Sequence, residues 1–410
     1  MRPSLWGRRP RSTREMLRNA VLTTFIMLLV VYPILDRQLG FGQMGAMNPI
    51  LIFTVLALGL NIVVGFAGLL DLGYAAFFAI GGYTCAFLTS PSSPLPVRTD
   101  FWVALLLAWF VAAALGVLLG APTLRLRGDY LAIVTLAFGE IVPRVFLNLE
   151  GLTRGSKGLS PVGRPHLPWI ESTAAGLVVV QKELYATDQV FWYYLILLVG
   201  AVSIFCIIRL RDSRLGRAWV AMREDEMAAA SMGINLVQTK LLAFSLGASF
   251  AGFAGSLFAS MLQFIDPFQF QFDISIIVLS MIILGGTGNV WGVVFGGVVM
   301  GAFNLILTEQ ATNWLRGLGG LLGMPFLRSI DLSSSKFMIY GLALVTLMLL
   351  RPEGVFPNRQ RQAELHGDGD TSAEPEPRAQ ESVVERPPPP DGEPAVLTAG
   401  NPEPPRRDAR

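Results

Sequence analysis

The sequence predicts an all-α protein that crosses a lipid bilayer about ten times. Three observations predict it. Apolar residues make up 52% of the 410 positions and charged residues only 15%, against about 25% charged in a typical soluble domain. The mean hydropathy is +0.51. Long charge-free tracts recur at the length a helix needs to span a membrane, roughly 20 residues. A water-soluble fold of this size would lack the charges to cover its surface.

The tracts fall at 19–35, 48–66, 73–90, 101–121, 189–208, 241–263, 274–287, 291–308 and 337–350. Some are short and must borrow flanking residues. A further apolar segment, 129–149, carries Asp129, Glu140, Pro143 and Arg144. The count is ten, and eight to ten spans are compatible with the tracts. The chain divides into a basic start at 1–18, a membrane region at 19–352 and a tail at 353–410. Proline-rich, acidic "EPEPRAQESVVERPPPPDGEP" in the tail has too few apolar residues to bury a core and is expected to be disordered.

Arginine sets the orientation. Six arginines precede the first tract, from Arg2 to Arg18. Ten spans from a cytoplasmic start place Arg125 and Arg127, the Arg209–Arg223 segment and the region from Arg351 on the same side, so both termini are expected in the cytoplasm. The loop at 150–188 is expected outside. The first tract reads as an uncleaved span, because "VYPILDRQ" after it offers no small-x-small cleavage site.

Catalytic signals are missing. No phosphate-cradling G-x-x-x-x-G-K-[ST] occurs. The two histidines are His166 and His366, the latter in the tail, which leaves zinc sites and Ser-His triads without material. Cys85 and Cys206 lie in apolar tracts and read as small core-type residues. No metal or cofactor is expected on this chain.

Asp71 is the only charged residue between Arg37 and Arg98, and it sits among Gly65, Gly68 and Gly73. Glycine lets membrane helices approach closely, and helix breaks survive where they line a cavity. A mid-bilayer carboxylate costs at least about 2.5–3.5 kcal/mol and usually faces a bundle interior or water. Asp71 therefore either marks a broken helix beside a pathway or caps the next helix from a polar turn near the cytoplasmic face. Glu140 and Arg144 are four apart, on one helix face, and can pair. They form a polar patch on a pathway or a self-neutralised pair in the outer half of the helix. In the 210–238 segment, Glu224, Asp225 and Glu226 precede Ala228-Ala229-Ala230, and Gly233 follows. Acids at the start and glycine at the end predict a short helix with a small-residue face. It suits a groove of a cytoplasmic partner, or else forms an amphipathic juxtamembrane loop.

The acid–"MAAASMGIN" segment resembles the "EAA" coupling loop of ATP-binding-cassette importer permeases. Together with "GLLDLGYAAFFAIGGY" (68–83), "LRGDYLAIVTLAFGEIVPRV" (126–145), "GSKGLSPVGRP" (155–165) and "VLSMIILGGTGNVWGVVFGG" (278–297), it resembles the branched-chain amino acid permease family, LivM type. The motifs occur in the family's order across about 65–350. The tail is longer than the resemblance leads one to expect, and the Glu-Ala-Ala order is loosened to Glu226-Met227-Ala228-Ala229. The resemblance implies a bacterial inner-membrane subunit that pairs with a second, homologous permease and performs no hydrolysis itself. ATP and Mg would sit on two cytoplasmic ATPases, and an extracytoplasmic binding protein would deliver substrate. Lipid and these proteins are the expected partners, with no nucleic acid. The coupling residues would be Glu224, Asp225, Glu226, Ala228, Ala229 and Gly233. Pathway or helix-break candidates are Gly68, Asp71, Gly73, Glu140, Arg144, Gly285 and Gly286. Gly155, Gly158 and Pro161 in the outer loop are candidates for docking the binding protein. Two other readings are a related importer for urea or other small amides and an ion-coupled transporter. The second would need intramembrane titratable groups, of which Glu140 is the fair candidate.

Reporter fusions after Asn358 and within 150–188 are expected to report opposite sides of the membrane. The same side for both would sink the ten-span arrangement.

Overall fold

The structure is a computed structural model. It describes residues 13–40, 42–123, 129–173, 176–183 and 188–321, together with 338, 341–342, 345–346, 349 and 354–356. Seven helices among them are long and apolar enough to cross a bilayer. They are represented by α2 (Met44–Asn61, extended by a π-helical turn Ile62–Phe66), α4 (Phe101–Thr123), α5 (Asp129–Asn148), α7 (Gln189–Arg211), α10 (Leu236–Leu262), α11 (Phe272–Gly285, entered through the 3₁₀ turn Pro267–Phe270) and α12 (Val290–Ala302, continuing through a π turn at Phe303–Leu307 into α13, Thr308–Leu321). An eighth apolar helix, α3 (Tyr74–Thr89), is shorter. The first predicted tract is covered by α1 (Thr13–Leu39), which therefore begins inside the basic segment. The tenth tract, 337–350, lies largely outside the described residues, as does the tail beyond 356.

Among the described residues, the candidate spans are helical, as the sequence predicts. The 150–188 segment carries structure of its own. It holds a one-turn helix, α6 (Glu150–Thr153), a 3₁₀ turn (Gly155–Lys157) and an antiparallel hairpin of β1 (His166–Thr173) and β2 (Gly176–Glu183), in register from His166–Glu183 to Thr173–Gly176. The β-branched run Val178-Val179-Val180 favours this strand locally.

Helix α2 is apolar on every side and buried almost throughout, as expected of a central helix. It packs against α7, α10, α11 and α12. In contrast, α4, α5 and α7 expose large apolar side chains, among them Leu106, Phe110, Leu118, Ile133, Leu198 and Phe205. Such faces suit lipid.

Apolar faces alone give little drive for helices to associate in lipid, so close packing must hold them. Along α10, Gly247, Ala248, Ala251, Gly252, Ala254, Gly255 and Ser256 are buried. A Cβ on Gly81 of α3 would run into the backbone of Gly252, and one on Gly255 into the Phe78 carbonyl. Ser256 Oγ donates to the Gly81 carbonyl at 3.2 Å, and Tyr74 Oη to the Gly247 carbonyl at 2.7 Å. Phe53, Phe78, Phe258 and Phe270 cluster below this seam at centroid distances of 5.2–6.4 Å.

Gly81→Ala is expected to lower the thermal midpoint of the purified protein, with a penalty of about 1–3 kcal/mol for overpacking. Gly317→Ala, where a Cβ meets nothing within 4 Å, is expected to be neutral or to gain up to about 1 kcal/mol. Equal shifts in thermal unfolding would refute the role given to the seam.

Candidate functional site

The arginine-rich end of the bundle is organised around a gap between two helices. The π-helical turn after α2 ends at Phe66, and α3 starts at Tyr74. Gly68 turns the chain with φ +71°, in the left-handed region that favours glycine. Asp71 is buried, 1% exposed, and its Oδ1 accepts from the Gly73 amide at 2.9 Å. It therefore does not cap the first turn of α3. That helix has Gly73 as its N-cap, and the Ala75 amide donates instead to Ser275 Oγ of α11 at 3.0 Å. Thr135 Oγ1 of α5 accepts from the Leu72 amide at 3.1 Å and itself donates to the Ala132 carbonyl at 3.1 Å. Thr135 lies six residues into α5, about 9 Å along a helix, so the gap is set inside the bundle. Gly73 and Gly139 meet there backbone to backbone.

Groups from distant elements close the same gap. Arg223 Nη1 donates to the Gly65 carbonyl at 2.7 Å, and its stem lies where a side chain on Gly68 would sit. Buried Asn61 accepts from the Gly288 amide at 2.9 Å through Oδ1. The second break follows Gly285, the last residue of α11. Gly286 and Gly288 have φ +105° and +81°, and Asn289 caps α12 by accepting from the amides of Trp291 and Gly292. Val355 and Phe356 donate their amides to the Leu284 and Gly285 carbonyls at 2.9 and 3.2 Å. The predicted tail boundary at 353 is therefore corrected: residues 354–356 cap the orphan carbonyls of the α11 terminus.

Arg223 belongs to α8 (Arg214–Glu224), followed after a one-residue break by α9 (Glu226–Ser231). The predicted 224–233 helix is thus split at Asp225, whose Oδ1 caps α9 by accepting from Met227 and Ala228 at 2.7 and 3.0 Å. Glu224 ends α8. Glu226 pairs with the buried Lys240 of α10 at 2.6 Å. Buried Trp219 donates from Nε1 to the Thr239 carbonyl at 2.8 Å. Gly233 is left-handed with φ +86°, and a Cβ there would meet nothing. Ala229 is only 4% exposed. The small-residue face predicted for Ala228–Ala230 is corrected accordingly: Ala229 packs inward, whereas Ala228 faces out between Met227 and Met232, 75% and 84% exposed.

In the 150–188 segment, the glycines are used within the chain. Gly155 and Gly158 are buried with φ +54° and +64°; Pro161 is exposed. Leu159 and Ile265 exchange both backbone hydrogen bonds at 3.0 and 3.2 Å. The Gly163 amide donates to Thr89 Oγ1 at 2.9 Å. Around Gly155 and Gly158, the side chains of Arg154, Ser156, Lys157 and Ser160 are exposed.

Glu140 and Arg144 pair at 3.2 Å, their side chains 45% and 75% exposed. Helix α5 continues through Pro143. The pair lines a cleft of about 390 Å³ between α5, the Pro267–Phe270 turn and the start of α11. One wall of the cleft, the Pro267–Phe270 turn, touches the Gly155–Lys157 turn of the 150–188 segment. No hydrogen bond or ion pair among the described residues joins this pair to Asp71, yet Gly139, which lines the cleft beside Glu140, meets Gly73 backbone to backbone. Sequence reasoning missed Asn61, Thr135, Arg223, Lys240, Asp273 and Ser275, whose roles are set by distant partners.

Comparison with known proteins accords with this architecture. Residues 44–322 match the family described as branched-chain amino acid transport system / permease component. The high-affinity branched-chain amino acid transport system permease protein LivM of Salmonella typhimurium is 37% identical over 353 residues, covering 84% of this chain and 76% of that one. LivM of Escherichia coli K12 is 37% identical over 355 residues with the same coverage. LivH of Salmonella typhimurium is 26% identical over 253 residues, covering 61% of this chain and 79% of its own. No solved structure matches the chain. On the extent of these matches, the chain belongs to the family of branched-chain amino acid transport permeases.

Proposed function

We propose that this chain is one of two permease subunits of an ATP-binding-cassette importer for branched-chain amino acids, moving substrate by alternating access. The observation that carries the reading is the α8–α9 arm. It presents exposed Met227, Ala228 and Met232 at the arginine-rich end. It is also tied into the bundle by Arg223 on Gly65 and by Glu226 on Lys240. A partner pressing on the arm would move groups that seal the helix gap. Exposed methionines give an adaptable apolar contact, suited to a groove on a cytoplasmic ATPase.

Similarity to both LivM and LivH supports a pair of related permeases. ATP and Mg would be held by two ATPases, with none on this chain. The arginines of the arm favour the cytoplasm for this end. Residues 354–356 return to the same end, which accords with a cytoplasmic C-terminus in a bacterial inner membrane and with ten spans. The outer loop would meet an extracytoplasmic binding protein through Arg154, Ser156, Lys157 and Pro161, while Gly155 and Gly158 shape the turns that hold them.

Met227→Asp with Met232→Asp is expected to leave insertion and permease pairing intact and to abolish co-purification of the ATPases. Gly233→Val is expected to strain the arm by about 1–2 kcal/mol and to lower uptake. Ala229 is unsuited to this test, because a large residue there would disturb the chain's own packing. Full assembly and full ATP-driven leucine uptake in both variants, measured in proteoliposomes, would reduce the arm to a juxtamembrane loop.

A further inference from the structure

The cleft between α5 and the start of α11 carries more charge than packing requires. Its wall on α5 holds Glu140 and Arg144, and its wall on α11 holds Asp273. Asp273 makes no ion pair among the described residues, and it lies in the first turn of α11, where a carboxylate complements the helix dipole. Pro143, Leu147 and Phe272 supply apolar surface between these charges. The volume of about 390 Å³ falls within the range of about 300–1,000 Å³ usual for small-molecule clefts.

We propose that this cleft receives a free aliphatic α-amino acid as it enters from the extracytoplasmic side. The proposal rests on the amino-acid permease reading above. Arg144 is the cation for the ligand carboxylate, with a guanidinium fork that suits a two-point contact. Asp273 and Glu140 are the anions for the α-ammonium. Leu147 and Phe272 lie against the aliphatic side chain. Two carboxylates against one guanidinium disfavour a purely anionic ligand, such as a phosphate or an acidic headgroup. An acyl chain would leave all three charges without a use. The Glu140–Arg144 pair is exposed, and exposed pairs are worth about 0–1 kcal/mol, so a ligand can redirect either side chain at small expense. Such a site is weak by construction, as a transfer site between a binding protein and a pathway must be.

The test uses the full importer complex, with Leu147→Cys as a reporter in a Cys206→Ser background. The other cysteine, Cys85, is buried. Maleimide labelling of residue 147 is followed with leucine, with 4-methylpentanoate, which lacks the ammonium, and with 3-methylbutylamine, which lacks the carboxylate. Leucine is expected to slow labelling by the factor 1 + [L]/Kd, about tenfold at ten times Kd. Neither analogue is expected to protect at the same concentration. Arg144→Gln and Asp273→Asn are each expected to abolish protection while the complex still assembles. Exchanging Glu140 and Arg144 in a double variant should also remove it, since a merely self-neutralised pair would tolerate the swap. Absence of protection by leucine, or equal protection by 4-methylpentanoate, would overturn the assignment. Leucine uptake by the unmodified complex is measured in parallel. Uptake without protection rejects the cleft alone, whereas no uptake of any branched-chain amino acid rejects the permease reading itself.

Discussion

A backbone that leaves its helix inside an apolar bundle must find partners for every amide and carbonyl it frees. An unmet group in hydrocarbon costs several kcal/mol. The segment between Phe66 and Tyr74 is such a place, and the solution draws on most of the protein. Arg223 of the arm covers the Gly65 carbonyl. Asn61 ties the same region to the α11–α12 turn at Gly288. Thr135 of α5 takes the Leu72 amide, and Ser275 of α11 takes that of Ala75. Asp71 holds the Gly73 amide within the gap itself. Moving any one of these elements exposes a group that another must cover. The gap is thus a junction where α5, α8, α11 and the α2–α3 pair constrain each other.

The rest of the packing has the same economy. Between α3 and α10, glycine bring backbones into contact and allow serine and tyrosine hydroxyls to reach carbonyls across the seam. Between α11 and α12, Gly285, Gly292 and Gly296 do likewise. Where helices instead show bulky apolar residues outward, as α4 and α7 do, the natural neighbour is lipid.

Much of this fold was legible in the sequence, because a membrane helix announces itself by length and composition alone. The tract at 48–66 became α2 with its π-turn extension, and that at 241–263 became the body of α10. Gly233 was readable as a helix terminator because left-handed backbone is a local demand. The hairpin at 166–183 was not anticipated: Val178–Val180 is a local strand signal, but the run is too short for a span and its partner strand is set by the pairing of β1 with β2. Asp71 was readable as unusual but not in its action: a cap from Ser275, about two hundred positions away, leaves no local trace. The inward turn of Ala229 was equally hidden. Which side of a six-residue helix faces the bundle depends on Lys240 reaching Glu226 and Trp219 reaching Thr239. Gly155 and Gly158 were visible as turn formers, yet only the pairing of Leu159 with Ile265 shows that the chain itself uses the surrounding amides.

The account rests most heavily on Arg223 as the link between the arm and the helix gap. Replacing it with alanine removes a charged donor from a carbonyl, a loss of about 1.5–3 kcal/mol for a hydrogen bond of that kind. The decisive measurement is the number of leucine molecules taken up per ATP hydrolysed by the reconstituted complex carrying Arg223→Ala. The account predicts that the complex assembles and that loaded binding protein still stimulates hydrolysis, but that uptake per ATP falls by about tenfold or more. An unchanged ratio in a fully assembled complex would contradict it.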